Sequence, residues 1–320
     1  MADATLGVAT KPATSRAHIE YLLHLADNAL VLGQRNAELC GHGPVLEEDI
    51  AMANISVDLI GQARMLYQHV ATLKADGSTE DTLAYFRDAP DFRNFSLLEL
   101  PHSVSDRNDD ASARDYAVTI VRNFFYSALM VLRWEALAQS TDAQLAAIAE
   151  RSVKETRYHL RHSRDWLVRL GDGTPESHAK TQAAWDHLLP YTHEFWTEFA
   201  IEEEAFMQGI CTPTASLCAD WQALVNQAGQ EATLTSPVAI SAPGQSVWFP
   251  VKASHTGVRA PGDGRHNAQT AAQHSAQPTA LLSAQPLALS QGKHGDHSRH
   301  LAPLLAEMQS LARQHPGARW

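Results

Sequence analysis

The sequence predicts an all-α fold, a bundle of long helices with additional short ones. Three observations carry this. Apolar residues recur with the 3.6-residue helical period over four stretches longer than an average helix of roughly eleven residues. Helix-ending glycines and prolines close these stretches, as in "GHGP" at 41–44 and "GDGTP" at 171–175. No stretch combines period-two alternation, β-branched enrichment and hairpin turns, so no sheet is expected.

The elements run in order along the chain. Residues 1–16 are small and polar and read as a flexible tail. From His18, the residues Leu22, Leu23, Ala26, Leu30 and Gly33 form one stripe of a first helix. A second begins at "LEEDI", where acidic side chains suit the positive end of a helix dipole, and closes near Lys74 and Gly77. "TEDTLAYFRD" predicts a short helix, and Pro90 and Pro101 punctuate the irregular stretch after it. A third long helix ends near Ser140. The fourth is capped by Ser140, Thr141 or Asp142 and ends where Gly171 takes the left-handed position. A fifth covers "AKTQAAWDHLLPYTHEFWTEFAIEEEAFM" with a kink at Pro190, and a short one covers "TASLCADWQALVNQAG".

From about Pro237 the composition shifts to Ala, Gln, Ser, Pro and His, with a tandem octapeptide, "SAQPTALL" then "SAQPLALS". Such a segment buries too little apolar surface to offset chain entropy, so 237–292 reads as a low-complexity insertion or mobile loop. The domain plan is therefore a tail (1–16), a bundle (17–236), the insertion, and a C-terminal segment (293–320) whose "LAPLLAEMQSLA" packs back on the bundle.

Net charge is −11 with no block of five or more like charges, which argues against nucleic acid as a partner. Three cysteines without a CxxC pair fit a reducing compartment. No signal peptide or eighteen-residue apolar run is present, so the expectation is a soluble cytoplasmic protein with no membrane partner.

Long-helix bundles can hold di-iron carboxylate centres, built from one Glu on each of two helices and Glu-x-x-His on each of two others. Three-residue spacing puts both ligands on one helix face. The literal match Glu99-x-x-His102 contains Pro101 and has no second copy, so chance explains it; Asp263-x-x-His266 lies in the low-complexity segment. The fourth helix carries Leu145, Ile148, Ser152, Glu155, His159, Ser163, Trp166 and Leu170 on one stripe, which turns Glu155 and His159 inward. The third places Glu135 on or near the inner face, and in the second Asn54, Asp58 and Gly61 fall together.

Buried carboxylates must be paired, protonated or metal-bound. As a metal site, Asp58, Glu135 and Glu155 supply oxygens, but Gly61 and Tyr158 occupy the two histidine positions and His159 is one residue off register. As a structural network, the carboxylates pair with Arg35, Arg64 or a neutral histidine.

Several strings resemble the C-subunit family of the multicomponent phenylacetyl-CoA ring 1,2-epoxidases, the PaaC-type proteins. They are "LADNALVLGQRNAELCGHGPVLEEDIAMANISVDLIGQARMLYQH" at 25–69, "DTLAYFRD", "FRNFSLLELP", "KETRYHLRHSRDWLVRLGDGT" at 154–174 and the ending "LLAEMQSLARQHPGARW". The insertion is not recognised as a family feature. The resemblance implies a ferritin-like bundle and a complex that epoxidises the ring of phenylacetyl-CoA in aerobic phenylacetate degradation. It further implies that the di-iron centre sits in a catalytic A subunit. The present chain then supports that partner without catalytic residues or cofactors of its own, and a reductase supplies electrons from NADPH through flavin and an iron–sulfur cluster. The alternative is a ferritin-like metalloprotein binding iron alone through Asp58, Glu135, Glu155 and His159.

Arg157, Arg161 and Arg164 form a basic face that reads either as solvated or as a contact for an acidic partner or CoA phosphates. Glu202-Glu203-Glu204 reads as a solvated run. Trp134, Trp166, Trp185 and Trp196 read as core or interface anchors, and His294, His297 and His300 as weak metal candidates.

Overall fold

The computed structural model of the chain describes residues 15–104, 114–235 and 291–318. Among them the regular structure is helical throughout, apart from an isolated bridge between Gln291 and Asp296. The architecture is the all-α, ferritin-like bundle that the sequence predicts. Its long helices are α1 (Arg16–Ala37), α2 (Leu46–Lys74), α4 (Tyr116–Leu137) and α5 (Ala143–Gly171). The short ones are α3 (Glu80–Tyr85), α6 (Pro175–Leu188), α7 (Ala200–Met207), α8 (Cys218–Glu231) and α9 (Leu301–Gln314).

Ends form where capping chemistry dictates. Ser15 accepts from the His18 N–H to start α1, and Asp142 accepts from Gln144 and Leu145 to start α5. Pro175 opens α6 at a position where its missing N–H costs nothing. Two expectations are corrected. Gly171 is the last helical residue of α5, and its lack of a side chain admits the Ala232 carbonyl, with which a Cβ would collide. Pro190 does more than kink a fifth helix: the chain leaves α6 at Leu188, continues as a 3-10 helix Leu189–Trp196, and re-forms as α7.

Helices α1 and α4 are buried on nearly every side, α1 packed against α2 and α4 against α5. Gly33 permits the α1–α2 approach, since a Cβ there would lie 3.1 Å from Ile60 and 3.3 Å from the Ser56 carbonyl. Across the centre, the amides of Asn36 and Asn123 donate to one another's oxygens at 2.8 and 2.9 Å, so neutral amides occupy this part of the interior. Trp134, Trp185 and Trp221 are fully buried, which places the first two in the core as expected.

The stretch from Phe92 to Leu100 has little regular structure and is nevertheless buried. Its backbone groups are met by helix side chains, as buried amides require. Asp27 accepts from the Arg93 N–H at 2.8 Å, Asn28 from Phe95 at 2.8 Å, and Arg35 donates to the Glu99 carbonyl. Asp27, 0 % exposed, also accepts from the Tyr67 hydroxyl at 2.6 Å and from the Arg87 guanidinium.

Glu99 and His102 are structural residues, which their chance match to a metal motif does not foretell; His102 Nε2 lies 2.7 Å from the Arg35 carbonyl and its Nδ1 lies 2.6 Å from the Thr119 hydroxyl. Glu99 accepts from Asn94 at 2.9 Å and from the Ser298 N–H at 2.7 Å and pairs with His297 at 2.6 Å. These bonds clasp the C-terminal segment, whose α9 packs on α3 and α1. The 3-10 turn Gly292–His294 belongs to this clasp, for the Lys293 N–H donates to Glu194 at 2.9 Å. Residues 1–14 of the tail and all of the low-complexity insertion before residue 291 lie outside the described residues, as does Asp263-x-x-His266, while Ser15 and Arg16 open α1. No helix among the described residues is long and apolar enough to cross a membrane.

Candidate functional site

Of the predicted site residues, Asp58, Gly61, Glu155 and His159 lie along one seam, where α2 and α5 run antiparallel. On α2 the buried arc is Met52, Ile55, Ser56, Leu59, Gln62, Ala63, Leu66 and Tyr67, which leaves Asp58 and Gly61 at its margin and Asn54 outside. On α5 the arc runs through Leu145, Ala149, Ser152, Thr156, His159, Ser163 and Leu167. It is rotated by about one residue from the predicted stripe, so Glu155, Trp166 and Leu170 sit at its edge.

The seam is a ladder of polar rungs, each pairing a carboxylate with an imidazole or an amide. At one end Glu48 accepts from the Tyr116 hydroxyl at 2.7 Å and faces His162 Nε2 at 2.8 Å. Burial opposes ionisation of Glu48, but the hydrogen bonds from Tyr116 and His162 outweigh it and hold the carboxyl below its ordinary range. Next, His159 Nε2 lies 3.1 Å from Asp58 Oδ2, and the Gln62 amide donates to Glu155 at 3.0 Å. Beyond them His69 meets Asp142 at 2.6 Å.

Glu135 is corrected. It is exposed, on the outside of α4, and pairs with Arg157 at 2.7 Å. The reason is helical phase: Trp134 and Leu137 take the buried positions at that end of α4 and turn Glu135 away. Tyr158 is exposed, its ring beneath the Arg161 guanidinium. Nothing stands within 4 Å of where a Gly61 Cβ would be, so that position is open rather than filled by a neighbour.

Asp58, Glu135, Glu155 and His159 therefore do not converge on one point. Asp58 and His159 are paired to each other, Glu155 to Gln62 and Arg151, and Glu135 to Arg157. A di-iron centre needs these oxygens and two nitrogens aimed at a common space, and this donor set does not fit one.

Among the other sequence candidates, Arg164 pairs with Glu231, and Arg64 approaches Glu80 at 3.5 Å. Arg35 pairs with Glu38. Glu202 is only partly solvated, since it approaches Arg133 at 3.6 Å and accepts from the Thr214 hydroxyl, whereas Glu203 and Glu204 are exposed. His294, His297 and His300 do not converge: His294 stacks edge-on to Phe199, and His297 meets Glu99. Sequence reasoning missed Glu48, Gln62, His69 and His162. Their signal was available, because each lies on the face of α2 or α5 that a shared seam selects.

The fold and seam define a helical-bundle protein whose candidate ligand residues Asp58, Glu135, Glu155 and His159 are each engaged in hydrogen-bonded pairs. The chain belongs to the phenylacetic acid catabolic protein family, whose profile matches residues 4–246. It is 38% identical to the C subunit of the 1,2-phenylacetyl-CoA epoxidase of Escherichia coli over 300 residues, covering 94% of this chain and 98% of that relative. It is thus a C-subunit-type member of the phenylacetate-catabolic epoxidase family.

Proposed function

We propose that this chain is the non-catalytic structural subunit of a di-iron monooxygenase that epoxidises the ring of phenylacetyl-CoA, and that it pairs with and supports the catalytic A subunit. One observation carries this reading above the rest: the four candidate iron ligands are each bonded to another protein group instead of sharing a centre. In this reading iron resides in the A subunit, and a reductase brings electrons from NADPH through flavin and an iron–sulfur cluster.

A contact surface for the partner is available on α2. Leu46, Ile50, Val57 and Ile60 are exposed and recur at helical spacing, so they form an apolar stripe outside the core. Such stripes are what subunit interfaces cover. Arg157 and Arg164 are already engaged by Glu135 and Glu231, which leaves Arg161, over Tyr158, best placed of the three to meet an acidic partner or CoA phosphates.

The test is iron analysis of the full chain, purified alone and reconstituted without oxygen, beside co-purification with the A subunit. We expect no iron that depends on Glu155, no epoxidation by the chain alone, and a stable complex with the A subunit. Near-stoichiometric iron that is lost on Glu155→Ala would overturn the reading.

A further inference from the structure

At the far end of the seam, His18, His69 and Asp142 bring two imidazoles and a carboxylate together from three helices. His18 lies in the first turn of α1, His69 near the end of α2, and Asp142 is the N-cap of α5. His18 Nε2 and His69 Nε2 stand 2.7 and 2.6 Å from the same oxygen, Asp142 Oδ2, and all three donor atoms fall within 4.8 Å of one another. Among the described residues this is the one group of three so disposed.

We infer that this trio is a mononuclear site for a first-row divalent cation of the Zn2+ type, clamping the ends of α1, α2 and α5. The ligand chemistry fits, since two neutral imidazoles and one carboxylate are a common three-residue set that leaves a further position for water. Distances fit as well. Bonds of about 2.0–2.2 Å at tetrahedral angles hold donors roughly 3.3 Å apart, so each histidine–aspartate pair opens by about 0.6–0.7 Å on binding.

The carboxylate is fixed in advance. Its other oxygen, Oδ1, accepts from the Gln144 and Leu145 N–H groups at 3.0 and 3.2 Å, which leaves Oδ2 aimed at the histidines. The partial positive charge at the starts of α1 and α5 works against a cation, and the Asp142 charge offsets it. All three side chains are largely shielded, with exposures of 13%, 8% and 10%. This site is independent of the scaffold reading and departs from the expectation that the subunit holds no metal.

The experiment is calorimetric titration of the metal-stripped full chain with Zn2+, together with thermal melting and the visible spectrum of the Co2+ form. We expect one saturable site per chain, a Tm rise of about 5 °C or more at a hundredfold excess over Kd, and cobalt bands from a site with nitrogen ligands. His18→Gln, His69→Gln and Asp142→Asn should each weaken binding by at least the roughly tenfold that even outer-shell substitutions cause. Asn caps a helix as well as Asp does, so Asp142→Asn keeps the fold while removing the charge. His42→Gln, at an exposed histidine, should change nothing. No saturable binding, or binding that survives both His69→Gln and Asp142→Asn in folded protein, would overturn the inference; so would loss in His42→Gln, because the chain carries 17 histidines.

Discussion

Replacing Asp27 by Ala removes the acceptor of four donors in one step: the Tyr67 hydroxyl, both terminal nitrogens of Arg87 and the Arg93 N–H. The Arg87 guanidinium cannot readily turn to water. It lies 4.2 Å from the Phe92 ring centroid, its Nε is held by the Leu83 carbonyl, and its side chain is 13% exposed. Breaking a buried ion pair from one side costs about 3–5 kcal/mol, because the remaining charge stays desolvated. At about 2–4 °C per kcal/mol for larger domains, Tm should fall by about 6–20 °C. Tyr67→Phe, which deletes the hydrogen bond donated to Asp27 and the one accepted from Arg87 at 3.1 Å, should cost about 1.5–3 kcal/mol. Asp27→Leu combined with Arg87→Met should recover part of the loss, since both charges leave together while the Arg93 N–H and the Tyr67 hydroxyl still lack their acceptor. Thermal and urea melts followed by circular dichroism measure all three. A cost below about 1 kcal/mol for Asp27→Ala would refute the reasoning, for it would mean that Arg87 reaches solvent and that the pair does not anchor the 87–99 segment.

The same contacts fix other outcomes. Val57→Asp places a charge on the exposed stripe of α2; the isolated chain should keep its Tm, while the dissociation constant for the A subunit should rise about 10–100-fold, as loss of one buried apolar side chain implies. Equal affinity in a binding titration would remove α2 from the interface. Burial works against protonation of His297, but Glu99 more than offsets it and raises the imidazole above its ordinary range. A raised folded value means that this clasp contributes fully below about pH 6.5 and is lost as pH rises through the folded value. Amide exchange in α9, corrected for intrinsic rates, should therefore accelerate from pH 6 to pH 8.5 and lose that added dependence in Glu99→Gln; a flat profile would count against the clasp. Burial pushes the neighbouring Glu194 up to about 7 and Lys293 down to about 8, so stability falls as pH rises toward 7 through the first and rises above about pH 8 through the second, a dependence that Glu99→Gln should leave in place. Finally, Gly61→His with Tyr158→His places a histidine three residues after Asp58 and Glu155, in open or exposed space. Stability should change by no more than about 0.5 kcal/mol per site, and iron should still not bind, because Glu135 points away from the seam. Stoichiometric iron in that variant would show that register alone had removed the site.

Much of the architecture is legible in the chain. Period, capping residues and glycine or proline stops locate α1, α2, α3, α5, α8 and α9, because each signal acts over a few neighbouring residues. The absence of histidine at Gly61 and Tyr158 is equally plain, since a three-residue spacing is a local property of a helix. Composition also marks the 237–292 segment as unlike the bundle.

What the chain does not supply is rotational phase and the company each side chain keeps. Its stripes turn Glu135 and Glu155 inward, and packing rotates the buried arc by about one residue, which is enough to move a carboxylate from core to margin. Glu99 and His102 look accidental in the sequence because their partners, His297 and Arg35, come from opposite ends of it. The ladder along α2 and α5, and the meeting of His18, His69 and Asp142, join residues up to 124 positions apart. Periodicity says which residues share a face; only the packing of one helix on another says which faces meet.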